Sequence, residues 1–186
     1  GAELFTGNNL LVMAWADRRI TTLEVLRNWL IVFIANAVGA FGLVLVVYLS
    51  RHGQMNNGAV ALQYVAVAAE KTSMPFAEAF FKGVLCNILV CLAVWLAMAG
   101  RSVADKVLAI IFPISAFVAA GFEHSVANMY LIPLGILLSD GTAAGVPDWS
   151  GFIGNLIPVT LGNIAGGSVM VALVYYVIYR RRAARE

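Results

Sequence analysis

Residues 107–138 form an apolar run whose only acidic or basic side chains, Glu123 and His124, sit side by side near its middle. As one helix the run would stretch about 48 Å at about 1.5 Å per residue, well past a hydrocarbon core of about 30 Å. An ionisable pair at that depth is costly unless it faces the protein interior or a cavity. The run is therefore expected to break at Gly121-Phe122-Glu123-His124-Ser125-Val126-Ala127-Asn128. A helix broken at membrane depth points to a transport pathway.

The remaining stretches fit the same frame. With 61% hydrophobic and 12% charged residues, the chain is not an ordinary soluble domain, and a net charge of +2 gives no reason to expect a nucleic-acid partner. Leu10 to Ala16 is too short to cross a bilayer and reads as the second half of a broken span. Asn28 to Ser50 carries no charge and is long enough for one crossing. Phe76 to Ala99 supplies another, with Pro75 suited to its first turn and Glu78 and Lys82 in its first half. Trp149 to Tyr179 has no charge and is too long for a straight crossing, so Pro158 is expected to mark a kink or the true helix start. Arg51 to Lys71 reads as a loop with a short interfacial helix, and Asp140 to Asp148 as a turn.

Alternating the spans puts Arg18, Arg19, Arg27, Arg101, Lys106, Arg180, Arg181, Arg182 and Arg185 on one side and Arg51 and Lys71 on the other. The richer side is expected to be cytoplasmic, with the C-terminus inside.

An internal repeat organises these spans. Gly1, Glu3 and Asn8 recur at Gly121, Glu123 and Asn128, and Asn28, Asn36 and Gly39 recur at Asn155, Asn163 and Gly166. Each copy holds a broken span followed by an intact one, and Phe76–Ala99 precedes the second copy. A repeat of three spans must enter the membrane from opposite sides in its two copies, which places a special site where the broken helices meet. The first copy, by this reading, lacks one and a half spans, and the chain, starting at Gly1 without an initiator Met, is expected to be N-terminally incomplete.

Such a meeting point aims unpaired backbone N–H groups at one space, which suits a small polar or anionic solute. Thr6, Asn8, His124 and Asn128 add side-chain donors, and His124 has the chemistry to exchange a proton in transit. The competing reading of His124 is a hydrogen-bonded residue that shapes the break. Glu3 and Glu123 are expected to accept backbone N–H bonds from irregular loops, a structural role. Lys82 is expected to pair with Glu78 or snorkel outward, and Lys71 to sit in a loop at the outer mouth, solvated or drawing anions in. Leu4, Phe5 and Phe117 either narrow a pore or pack. Gly39, Gly42, Gly162, Gly166, Gly167 and Ser168 are expected to allow close helix approach. Cys86 and Cys91 lie on different sides of a helix, which argues against a disulfide. No catalytic constellation, zinc spacing or bis-histidine haem site is present, so neither enzyme activity nor a cofactor is expected.

Several motifs together resemble the formate/nitrite transporter family: Gly1-Ala2-Glu3-Leu4-Phe5-Thr6-Gly7, Lys82-Gly83-Val84-Leu85-Cys86-Asn87, Val90-Cys91-Leu92-Ala93-Val94-Trp95, Gly121 to Met129, and Pro158-Val159-Thr160-Leu161-Gly162-Asn163. The resemblance runs over essentially the whole chain. It implies an all-α, aquaporin-like fold of six spans with inverted repeats and two broken helices, about four and a half spans being represented here, and a homopentamer with one pore per protomer. It further implies constrictions at Leu4, Phe5, Val90 and Phe117, a central site of His124 with Thr6, Asn87 and Asn128, and an outer vestibule at Lys71. The implied activity is passage of a small monovalent anion through the inner membrane, with possible proton coupling. Arg101-Ser102, Asp105-Lys106 and Phe117–Met129 resemble the formate branch and Phe80-Phe81-Lys82-Gly83 the nitrite branch. The substrate order expected is formate, then nitrite, then hydrosulfide. The alternatives are a neutral-solute channel of aquaporin type and a membrane subunit of an enzyme.

Overall fold

The computed structural model describes residues 3–139 and 147–180, and every regular element among them is helical. A short 3-10 turn, Gly7–Leu10, leads into α1 (Leu11–Ala16), followed by α2 (Thr22–Leu49), α3 (Ala59–Thr72), α4 (Phe76–Ala99), α5 (Val103–Ala119), α6 (Ser125–Leu138) and α7 (Trp149–Ile164). The last continues in π geometry over Ala165–Leu173, so that Trp149–Tyr179 is one long helix. Thr22–Leu49, Phe76–Ala99 and Trp149–Tyr179 are long and apolar enough to cross a membrane. The expected turn at Asp140–Asp148 falls largely outside the described residues, as do Gly1 of the repeat and Arg181, Arg182 and Arg185 of the basic terminus.

Local chemistry sets the helix ends. Thr21 and Glu24 form a capping box at the start of α2, and Ser102 and Asp105 form another at α5, each satisfying two backbone donors of a first turn. The apolar run breaks where the sequence indicates. α5 stops at Ala119, Gly121 takes a φ of +65°, and α6 restarts at Ser125. A left-handed residue cannot continue the helix, and glycine adopts that geometry without a Cβ penalty.

Two expectations about α7 and the 51–71 segment need correction. α7 begins at Trp149, where Asp148 accepts the Gly151 N–H, so Pro158 lies inside the helix and is not its start. Departure from α geometry comes after it, at Ala165. The 51–71 segment is not mainly a loop: α3 is a 14-residue helix packed along α6. Tyr64 Oη lies 3.2 Å from Tyr130 Oη, and Gly135 of α6 rests against the Tyr64 backbone carbonyl.

α4 and α7 pack against each other at the core. A Cβ at Gly162 or Gly166 would collide with the carbonyl oxygens of Phe80 and Val84, so these glycines let the two backbones meet. Gly39 and Gly42 do not behave this way within the chain. They sit on α2 with nothing near their missing Cβ positions, on a face that exposes Ile34, Val38, Leu45 and Val46.

Candidate functional site

The loop at the α5–α6 break and the segment that leads into Gly7–Leu10 are held by matched asparagine clamps. In the first half, Asn36 on α2 accepts the Phe5 N–H at 2.9 Å and donates to the Glu3 carbonyl at 3.2 Å. In the second half, Asn163 on α7 accepts the Ser125 N–H at 2.9 Å and donates to the Glu123 carbonyl at 3.0 Å. A second set repeats in the same way. Asn8 donates to Glu3 Oε2 and Asn28 Oδ1 at 2.6 and 2.9 Å, while Asn28 donates to Glu3 Oε2 at 3.0 Å. Asn128 donates to Glu123 Oε2 and Asn155 Oδ1 at 2.6 and 2.7 Å, and Asn155 reaches Glu123 Oε2 at 3.3 Å. The repeat legible in the sequence is thus a repeat of hydrogen bonds.

These bonds alter the expected role of the two glutamates. Their carboxylates accept from side-chain amides, one on the short element that follows each glutamate (Asn8, Asn128) and one on the long helix after it (Asn28, Asn155). Glu123, 2% exposed, also holds the ammonium of Lys71 at 2.5 Å. Lys71 is not a loop residue: it lies in the last turn of α3, its side chain is 14% exposed, and its carbonyl accepts from Asn155. Lys82 pairs with Glu78 at 2.8 Å, one turn apart, as expected.

Between the two breaks, Thr6 Oγ1 lies 2.9 Å from His124 Nε2. His124 is also the N-cap of α6, its Nδ1 accepting the Ala127 N–H at 3.1 Å. A ring nitrogen that accepts a backbone N–H carries no proton, so the neutral ring has its hydrogen on Nε2, directed at Thr6. A second proton has only Nδ1 to go to, at the expense of the cap. Phe117 stacks on the imidazole, with ring centres 5.7 Å apart and planes at 18°. Phe117 joins Val90 and Cys86 in a buried apolar cluster edged by Leu89, Ile114 and Phe122. The polar pair is therefore bordered by hydrocarbon.

The remaining predicted residues fall around this pair. Asn87 donates to the Thr6 carbonyl at 3.1 Å and to the Asn163 carbonyl at 2.6 Å, bridging the first break to α7. Asn128 belongs to the Glu123 set. Leu4 lines a cavity of about 910 Å³ together with Gly7, Asn8, Val94, Trp95 and Met98. Phe5 is buried, its ring edge-on to Phe33 and Trp29 of α2. Cys86 and Cys91 are free thiols, and Cys91 Sγ lies 3.5 Å from the Thr6 carbonyl.

Asn36 and Asn163 are legible in the sequence as markers of the repeat, and their equal spacing is the signal for their clamping role; Asn28 and Asn155 share that signal for the glutamate sets. Asn9 and Ser168 carried no such signal, yet both are buried and bonded to each other.

A helix break between α5 and α6 facing the segment that leads into α1, the two tied by a repeated amide pattern and flanked by membrane-length helices, defines an inverted-repeat membrane transport protein. The family model described as Formate/nitrite transporter matches residues 1–177, and the chain belongs to that family. It is 44% identical over 195 residues to the formate channel FocA of Escherichia coli, covering 97% of this chain and 68% of that protein. It is also 44% identical over 185 residues to the uncharacterized transporter YrhG of Bacillus subtilis, covering 98% of this chain and 66% of that protein. A solved pentameric formate channel with formate bound superposes with a TM-score of 0.83 at 35% identity, covering 95% of this chain and 75% of the other. The chain thus spans about two thirds of the length of such relatives. These relatives are channels and transporters, not enzymes, which removes the enzyme-subunit alternative.

Proposed function

We propose that the chain is a transmembrane channel domain for small monovalent anions, formate first among them, with Thr6 and His124 as the central site. The observation that carries this reading is the 2.9 Å contact between Thr6 Oγ1 and His124 Nε2 across the two helix breaks. An anion arriving there meets the Nε2–H, the Thr6 hydroxyl and the N-terminal end of α6, all favourable to negative charge. Phe117 and Val90 supply an apolar neck that strips water, and Leu4 and Phe5 act as constrictions on the Thr6 side. Asn87 and Asn128 hold the polar lining in place.

Glu123, next to His124, would repel an anion if its charge were open. The Lys71 ammonium neutralises it and lets the outer vestibule accept negative charge. Proton coupling runs through His124. Net transfer of a proton to the anion calls for the doubly protonated ring, and this requires Nδ1 to release the Ala127 N–H. The assembly we infer is a homopentamer in the inner membrane, in line with the pentameric neighbour and the exposed apolar face of α2. The basic residues on one side support a cytoplasmic C-terminus.

Liposomes containing the protein test the reading. Formate uptake should exceed nitrite and hydrosulfide uptake, depend on pH, and change its pH profile in His124→Asn. Lack of uptake for all three anions, or glycerol flux indifferent to His124→Asn, would replace the anion channel with a neutral-solute channel.

A further inference from the structure

The repeat is kept in the glutamates and asparagines that build the two breaks and is broken at the residues that touch across them. Advancing 120 positions turns Leu4 into His124, Thr6 into Val126 and Asn9 into Met129, all in one short stretch. The first two exchanges belong to the central pair. The third places a fully buried amide behind Thr6 where the other half has a buried thioether.

Asn9 Nδ2 donates to the Phe5 carbonyl at 3.0 Å and to the Thr6 carbonyl at 3.2 Å. The Thr6 carbonyl is also reached by Asn87 Nδ2 at 3.1 Å and Cys91 Sγ at 3.5 Å, so donors from the loop and from α4 converge on it. On its other side Asn9 Oδ1 accepts the Ser168 hydroxyl at 2.9 Å. Ser168 lies in the π segment of α7 and is itself buried. A terminal amide has two orientations that differ by exchange of oxygen and nitrogen. With Ser168 donating, oxygen faces α7 and nitrogen faces the two loop carbonyls. Flipped, Asn9 Oδ1 would oppose both carbonyl oxygens, while Ser168 would turn from donor to acceptor, so the two carbonyls choose the orientation and Ser168 anchors the amide to α7.

We infer that Asn9, oriented by the two loop carbonyls and anchored to α7 by Ser168, forms with Ser168 a positioning pair that fixes Thr6 opposite His124 and so sets the affinity of the pathway for its anion. This rests on the reading of Thr6 and His124 as the central site. The pair acts from behind: the imidazole bonds to Thr6 and Ala127, while Asn9 and Ser168 reach it through the Thr6 backbone.

The test is the concentration dependence of formate uptake into liposomes for Ser168→Ala, Ser168→Thr, Thr6→Val and the double variant Thr6→Val/Ser168→Ala. Ser168→Ala should raise the half-saturating formate concentration about three- to tenfold, with a smaller change in maximal rate, as expected for loss of one hydrogen bond worth about 1 kcal/mol. Ser168→Thr, which keeps the hydroxyl, should restore the parent value. The double variant should match Thr6→Val alone, because Ser168 has nothing to position once the Thr6 hydroxyl is gone. Additive losses in the double variant mean a general packing role and overturn the inference. A parent-like Ser168→Ala beside an impaired Thr6→Val overturns the inference and leaves the central site standing, whereas indifference of both removes the central site as well. Should Ser168→Ala not fold, Asn9→Leu/Ser168→Ala removes both partners without leaving a buried orphan. This pair must fold and show the same rise, and a parent-like half-saturation in it overturns the inference.

Discussion

Asn36 and Asn163 hold corresponding backbone atoms in opposite halves of the molecule: each accepts one loop N–H and donates to the carbonyl two residues earlier. The second clamp is the more demanding. Asn163 is fully buried and also donates to the Gly83 carbonyl at 2.8 Å, whereas the Asn36 clamp is only partly covered.

Asn163→Ala should therefore cost more than Asn36→Ala. It strands the Ser125 N–H and the Glu123 carbonyl in the interior, at about 1–3 kcal/mol for each group left unpaired, and removes the extra bond to the helical Gly83 carbonyl. The apparent Tm of the detergent-solubilised protein should fall several degrees further for Asn163→Ala, and equal losses would show that burial does not distinguish the clamps.

Lys71 and Glu123 form a buried ion pair, and breaking such a pair from one side costs about 3–5 kcal/mol. Lys71→Met should lower the yield of folded protein and leave the Glu123 charge held by the Asn128 and Asn155 amides alone, reducing formate uptake. Lys71→Met/Glu123→Gln removes both charges and should recover most of the folded yield. A double variant as unstable as the single one argues against the pair as the cause.

Thr6→Val keeps the side-chain shape and removes the hydroxyl facing His124. A hydrogen bond to a charged group is worth about 1.5–3 kcal/mol, so formate uptake at subsaturating concentration should fall at least about tenfold. The measurement is initial uptake in liposomes at fixed pH, and retention of parent uptake would remove Thr6 from the site.

Gly162→Ala should separate α4 from α7, because the new methyl meets the Phe80 carbonyl oxygen. Overpacking of this kind costs about 1–3 kcal/mol, and Gly154→Ala, whose methyl meets nothing within 4 Å, serves as the neutral control. Thermal unfolding of the two variants side by side checks the contrast.

What could be read from the sequence was what one dimension constrains. The thickness of a bilayer limits the length of an apolar run, and the cost of charge at depth marks Glu123 and His124, so the break before Ser125 and the ends of Phe76–Ala99 were legible from residue type alone. Equal spacing likewise exposed the two copies of the repeat, down to the asparagines that clamp it. The lateral pairings were a different matter. Lys71 meets Glu123 because α3 packs on α6, and Ser168 meets Asn9 across 159 positions because α7 is brought against the first break. A side chain's partner depends on the rotation and depth of each helix, set by contacts such as Gly162 on Phe80 and by the π turns after Ala165. Sequence thus determined where the chain crosses and where it breaks; only the packed structure decided which donor faces which acceptor, because that choice is made between helices and not along them.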